Sequence, residues 1–133
     1  MNNNFGHKSL KTYVPISEKE PTSIISEQYR KLRTNIEYSN FNQETKSIAI
    51  TSTMAGEGKT VTAINLATVY AQSELKTLLI DLDLRRPKIH RGFGLANEIG
   101  IADIITRKLD SSSVIKPVST FLHVLTSGTK LPF

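Results

Sequence analysis

No cysteine occurs in the 133 residues. That absence removes disulfides, thiolate metal sites and cysteine nucleophiles from consideration. Long apolar runs are missing too, since nothing approaches the ~18 residues that a membrane-spanning helix needs. The opening Met1-Asn2-Asn3-Asn4-Phe5-Gly6-His7-Lys8 lacks the apolar core of a secretory leader. The expectation is a cytoplasmic protein that reaches a membrane only through a partner. Internal repeats and low-complexity blocks are absent as well. Acidic residues are the scarcer charge, twelve against seventeen Lys and Arg, for a net charge of +5. Nucleic-acid binding is one reading of such a balance. The basic residues are scattered, however, and the one dense cluster, Arg85-Arg86-Pro87-Lys88-Ile89-His90-Arg91, suits a phosphate-handling site at least as well. No nucleic-acid partner is expected.

What the chain does have is concentrated in one stretch, Thr53-Met54-Ala55-Gly56-Glu57-Gly58-Lys59-Thr60. It comes after Ser47-Ile48-Ala49-Ile50-Thr51-Ser52, whose alternation predicts a strand. It opens into a helical pattern with Ala63, Leu66, Ala67 and Tyr70 on one face. Strand, glycine-rich turn, Gly-Lys-Thr and helix are the context a phosphate-binding loop requires. Gly56 and Gly58 let the backbone curl so that successive N–H groups from Ala55 to Thr60 converge on phosphate at the positive end of a helix dipole. Lys59 is placed to reach the β- and γ-phosphates of ATP, and the Thr60 hydroxyl to hold Mg2+. One departure is Thr53, where the general pattern has glycine.

Residues 1–22 read as an extended N-terminal arm, because Pro15, Pro21 and three asparagines interrupt any period. Ser23 or Ser26 caps a predicted helix reaching Ser39, with Ile25, Tyr29, Leu32 and Ile36 as its apolar stripe. Glu27, Arg30 and Arg33 then fall on a solvated or interfacial face. After the loop helix, Thr77-Leu78-Leu79-Ile80-Asp81-Leu82-Asp83 reads as a buried parallel strand ending in two carboxylates. The unit is strand, crossover helix, strand, and ligands of such sheets sit beyond the carboxyl ends of the strands. If the strand persists, Asp81 and Asp83 point the same way. One carboxylate then holds magnesium while the other orients a nucleophile or takes its proton. The plainer alternative is that they end a strand and cap the next segment. Ile101, Ile104 and Ile105 predict a short helix, and Leu122-His123-Val124-Leu125-Thr126 a third strand. His90 and His123 have no metal-ligand pattern.

In this order the segments resemble the bacterial tyrosine kinases of capsule and exopolysaccharide synthesis. Glu27-Gln28-Tyr29-Arg30-Lys31-Leu32-Arg33 matches the family's E-x-x-R-x-x-R element, and Gly56-Glu57-Gly58-Lys59-Thr60 looks like its phosphate loop. Asp81-Leu82-Asp83-Leu84-Arg85 is similar to its D-x-D-x-R motif, and residues 122–128 resemble a later strand. The likeness covers residues 23–129 of a partial kinase domain spanning 23–133. It implies an α/β fold, an incomplete phosphate-loop NTPase-like parallel sheet with flanking helices. It further implies an ATP- and Mg2+-dependent, autophosphorylating tyrosine kinase. Lys59, Asp81 and Asp83 are then catalytic, Ala55 to Thr60 bind nucleotide, and Thr60 and Asp83 hold the metal. Glu27, Arg30 and Arg33 would mediate ring-like self-association, and a membrane activator protein would bring the kinase to the inner face of the membrane.

Three features depart from that pattern. Ala55 stands where proline is common, the third acidic motif D-x-P-P is absent, and so is a C-terminal tyrosine cluster. The expectation is therefore an N-terminal part, inactive alone. Two alternatives stay open. One is a partition- or septum-type ATPase, although Met54 occupies the position where that group usually has lysine. The other is a non-enzymatic fragment that only assembles with full-length copies.

Overall fold

The computed structural model describes residues 15–39, 47–52 and 58–129. In chain order the elements are α1 (Ile16–Lys19), α2 (Ile24–Ser39), α3 (Gly58–Gln72), β1 (Thr77–Ile80), α4 (Ile89–Gly92), α5 (Ile101–Arg107), α6 (Ser111–Val114), β2 (Lys116–Pro117) and β3 (Leu122–Leu125). The sheet order is β1-β3-β2. β1 and β3 run parallel with Thr77 opposite Leu122 and Ile80 opposite Leu125. The short β2 pairs antiparallel to β3, so the sheet is mixed rather than wholly parallel.

Helix α3 is the centre of the packing. Its residues from Ala63 to Ala71 are all buried, because it is covered on two sides. Ala63, Ile64, Ala67 and Ala71 pack with Leu79, Leu122 and Val124 of the sheet. Leu66, Val69 and Tyr70 face the other way, against Tyr29 and Ile36 of α2. The apolar face expected from periodicity therefore widens to nearly the whole circumference, as happens when a helix lies between two layers.

Helix α2 starts where Ser23 Oγ accepts the Ser26 N–H at 3.1 Å, so Ser23 rather than Ser26 is the cap. Ile25 and Leu32 of the expected stripe stay largely exposed, whereas Tyr29 and Ile36 are half-buried against α3. Residues 15–22 are not extended throughout. Their helical turn α1 is tied to α3, with the Ser17 N–H donating to Asn65 Oδ1 at 3.1 Å and Gln72 Nε2 donating to Ser17 O at 2.9 Å. Two further differences bear on the site. Residues 47–52 lie beside the sheet without being a strand of it, and the strand expected to run to Asp83 stops at Ile80.

At the far end of β3 the chain is locked to α5. The Gly100 N–H donates to Asp103 Oδ2 at 2.8 Å, and Thr129 Oγ1 donates to Asp103 Oδ1 at 2.9 Å. Gly128 has φ +85°, and a Cβ there would run into Asp103 and Gly100, so glycine is required.

Candidate nucleotide-phosphate site

The site lies where α3 begins and β1 ends. Lys59 is the second residue of α3, so its stem rises from the helix end whose unsatisfied N–H groups carry positive potential. Asp83 lies three residues past the end of β1, in the turn that leads to α4. The Lys59 Nζ and Asp83 Oδ2 are 3.6 Å apart, each side chain about a third exposed. Asp83 Oδ1 accepts the Arg86 N–H at 3.0 Å. That backbone bond is the strongest influence holding the Asp83 carboxyl below its ordinary value. Partial burial opposes it, and the Lys59 ammonium and the Arg85 N–H reinforce it.

Asp81 is in a different situation. It is buried, and its two oxygens take three backbone donors: Asp83 N–H at 3.0 Å, and Lys88 and Ile89 N–H at 3.2 Å each. The carboxylate therefore stitches residues 81–89 into one turn and orients Asp83 toward Lys59. Because the strand has already ended at Ile80, the two aspartates do not share a direction as they would on a pleated strand. Nearby, burial and the Arg91 cation push the His90 imidazole below its ordinary value, with Asp81 acting in the opposite sense.

Lys59, Thr60, Asp81 and Asp83 border a cleft of about 1200 Å³ that continues along the outer edge of β1. Arg86 and Lys88 stand on its rim, so part of the basic cluster is brought to the phosphate end. Gly58, at the start of α3, has open space where a Cβ would stand. Of the expected nucleotide-binding residues, Gly58, Lys59 and Thr60 are thus at the site, whereas Ala55, Gly56 and Glu57 lie outside the described residues. The donor set suits magnesium carried by a nucleotide: a hydroxyl at Thr60 and a carboxylate at Asp83 are hard oxygens, and such ions keep most of their shell as phosphate and water. Among the described residues no group of three or more His, Asp or Glu is gathered for a fully protein-bound metal.

Glu27, Arg30 and Arg33 lie away from this site, on α2. Arg30 bonds Glu27 Oε2 through Nε at 3.1 Å and Nη2 at 2.9 Å, and reaches Pro21 O. Arg33 turns inward, donating to Val69 O at 2.9 Å and to Ser73 Oγ near the end of α3. One link that the sequence did not announce is Tyr70, whose hydroxyl donates to Glu37 Oε1 at 2.9 Å. Burial raises the Tyr70 pKa to about 12, helped by that carboxylate. The one sequence signal for it is that Glu37 directly follows Ile36, the last residue of the α2 apolar stripe.

Comparison with known proteins adds three findings. Residues 48–125 match the family model described as CbiA, the CobQ/CobB/MinD/ParA nucleotide binding domain. The chain is 46% identical over 114 residues to the tyrosine-protein kinase YwqD of Bacillus subtilis, and 42% identical over 114 residues to the putative tyrosine-protein kinase CapB of Staphylococcus aureus. Those alignments cover 85% of this chain in both cases and 48% and 50% of the relatives, so the chain spans about half the length of the curated relatives it matches. The solved kinase domain of the Escherichia coli tyrosine kinase ETK superposes with a TM-score of 0.84 at 32% identity, over 92% of this chain and 48% of that one. The α/β phosphate-loop architecture is common to all of these matches.

Proposed function

Because the chain belongs to the CobQ/CobB/MinD/ParA nucleotide-binding domain family, we propose that it is the ATP-holding part of a bacterial protein-tyrosine kinase. The observation that carries the reading is the Lys59–Asp83 pair at the mouth of the cleft, 3.6 Å apart, between a helix N-terminus and a strand's carboxyl end. In a nucleotide-bound protein Lys59 exchanges Asp83 for phosphate oxygens. Thr60 and Asp83 would hold Mg2+, which, when bound, neutralises charge on the β- and γ-phosphates. The tyrosine hydroxyl attacks the γ-phosphorus, the bond to the β-bridging oxygen breaks, ADP leaves, and the phenolic proton passes to a base. Asp81, whose oxygens already accept three N–H groups, serves here as the positioning residue for Asp83. Substitution at Asp81 decides between this role and the sequence-based assignment to the incoming hydroxyl.

The finer parts of the proposal rest on the resemblance. They are autophosphorylation in the control of capsular or exopolysaccharide synthesis, activation by a membrane adaptor, and a ring of subunits joined through Glu27, Arg30 and Arg33. Phosphoryl transfer depends on every charged group being positioned at once. These 133 residues alone are therefore expected to bind nucleotide and to transfer phosphate at background rate. Calorimetry with Mg-ADP and a phosphotyrosine assay with Mg-ATP and a tyrosine-rich peptide test both halves. Absence of nucleotide binding by the folded chain would remove the reading. Phosphotyrosine formed at about 1 per second or faster would remove the claim of inactivity. Phosphate release without phosphotyrosine would favour the MinD/ParA-like ATPase alternative.

A further inference from the structure

Residues 85–91 carry four cations, Arg85, Arg86, Lys88 and Arg91. Two carboxylates, Asp81 and Asp83, stand just before them, yet neither neutralises any of the four. Asp81 spends its oxygens on the N–H groups of Asp83, Lys88 and Ile89. Asp83 takes the Arg86 N–H and faces the Lys59 ammonium. Backbone donors and a lysine from α3 thus satisfy both acids, and the side-chain charge of the cluster is left over. Among the described residues the ion pairs are Arg30–Glu27, Lys59–Asp83 and Arg107–Asp103, and none of them includes the cluster.

This surplus charge is carried on a fixed backbone. The Asp81 carboxylate pins residues 88 and 89, and the Asp83 carboxylate pins residue 86. Ile89 is buried in the core with Leu79. Arg85, Arg86 and Arg91 are nonetheless exposed, and Lys88 is half-buried. All four are rooted in the turn that sets the two aspartates. Burial and then the Arg91 cation disfavour the protonated form of His90, so the positive field is felt within the turn itself.

A magnesium nucleotide does not account for the surplus. In the kinase reading its phosphates are met by Lys59, by N–H groups at the start of α3 and by the metal. Arg86 and Lys88 border that end of the cleft, whereas Arg85 and Arg91 do not. The positive surface therefore extends outward from the phosphate end. A tyrosine whose hydroxyl reaches the γ-phosphate brings its neighbouring residues across the same rim. Extended polypeptide advances about 3.3 Å per residue, so three or four residues beside the tyrosine span about 10–13 Å.

We propose that Arg86, Lys88 and Arg91, with Arg85 beside them, form a docking surface for a polypeptide segment whose acceptor tyrosine is flanked by Asp or Glu. The inference rests on the kinase reading and names the class of its protein substrate. Three of the four cations are arginine, whose planar fork pairs with a carboxylate through two parallel N–H···O bonds. Carboxylates suit the surface better than phosphotyrosine, because a surface that grips the phosphorylated product delays its release. A nucleic-acid duplex or a lipid surface needs cations spread over a wide face, and here they are confined to one turn.

The test follows the fluorescence anisotropy of labelled peptides mixed with the unsubstituted chain at low salt. One peptide has a tyrosine flanked by glutamates, a second has glutamines in their place, and a third has glutamines around phosphotyrosine. The glutamate peptide is expected to bind about tenfold more tightly than either of the others. That preference should vanish near 1 M salt, where the screening length is about 3 Å. Arg86→Gln combined with Arg91→Gln should weaken its binding by about fivefold or more. Lys31→Gln combined with Lys116→Gln removes the same charge from exposed positions elsewhere and should leave binding nearly unchanged. Equal losses in the two double variants overturn the proposal in favour of net charge alone. Equal binding of the glutamate and glutamine peptides overturns it, as does tighter binding of the phosphotyrosine peptide. Tighter binding of phosphatidylserine vesicles or of duplex DNA through the same two arginines also overturns it. The comparison among peptides uses unsubstituted protein and stands even if a variant does not fold. Peptide binding is read without nucleotide and nucleotide binding without peptide, so this inference and the kinase reading fail separately.

Discussion

Lys59 and Asp83 face each other across the start of α3 at 3.6 Å, and each is the other's placeholder for a ligand charge. The ammonium occupies the carboxylate that a magnesium ion would take, and the carboxylate occupies the ammonium that phosphate would take. Substitutions at the two positions should therefore behave differently. Lys59→Ala is expected to weaken ADP binding by tenfold or more, because a charge-assisted contact worth about 1.5–3 kcal/mol is removed. Asp83→Asn should bind ADP no less tightly than the parent when magnesium is chelated, since Lys59 is released. It should bind Mg-ADP more weakly. Calorimetry with and without chelator checks the crossover, and parallel losses in both conditions would refute the paired-placeholder account.

Asp81 is expected to act on stability before it acts on chemistry. Asp81→Asn places an amide N–H2 against backbone donors that now share a carboxylate. Leaving a buried donor unsatisfied costs about 1–3 kcal/mol. Denaturant unfolding should show a loss of that size, and Mg-ADP affinity should fall because Asp83 is no longer held. Unchanged stability together with lost phosphotransfer in a complete kinase would instead return Asp81 to the reaction itself.

Asp103 carries a pH signature. Burial raises its pKa, but the Gly100 and Thr129 N–H groups, the Thr129 hydroxyl and Arg107 outweigh that, and the net shift is downward. A depressed carboxyl pKa means the unfolded chain binds the proton first. The contribution of Asp103 is thus complete above its ordinary value of 3.8 and is lost as pH falls below it toward the lowered folded value. Asp103→Asn should destabilise the protein at neutral pH by about 1–3 kcal/mol and flatten the acid limb of a stability-against-pH curve. An acid limb of unchanged slope would rule Asp103 out as its source.

The opposite sign applies to Tyr70. Its raised pKa of about 12 means that stability from the neutral phenol is present below the ordinary value of 10.0 and is lost as pH rises through the folded value. Tyr70→Phe should cost about 1 kcal/mol at neutral pH and remove that alkaline loss. An ultraviolet titration in which all the tyrosines ionise near the ordinary value would contradict it.

Self-association through α2 is tested by separating Arg30 from Arg33. Arg33 already spends its guanidinium on Val69 O and Ser73, so Arg33→Ala should lower stability. Arg30, held only at the surface by Glu27 and Pro21 O, is the one able to exchange partners at little cost. In an intact kinase Arg30→Ala is expected to shift sedimentation toward monomer without lowering the melting temperature. An unchanged profile would leave these residues a solvated face.

Much of the architecture was legible in local pattern. The apolar run before Asp81 and the alternation around Val124 marked β1 and β3, and Gly58-Lys59-Thr60 marked the start of α3. These features come from side-chain periodicity and glycine chemistry, which are properties of neighbouring residues. Three outcomes needed the tertiary structure. Residues 47–52 have the alternation of a strand, yet pairing requires a second backbone at about 4.8 Å, and periodicity carries no information about that partner. Asp81 and Asp83 look equivalent in sequence, but β1 ends at Ile80, so one carboxylate turns inward to three N–H groups while the other meets Lys59. Arg33 sits among surface charges by spacing, and only the packing of α2 on α3 brings Val69 O within its reach. Local sequence determined which groups are available for phosphate, metal and strand pairing. Long-range contact decided which of them are already occupied, because a hydrogen bond or ion pair made between distant segments is set by their packing.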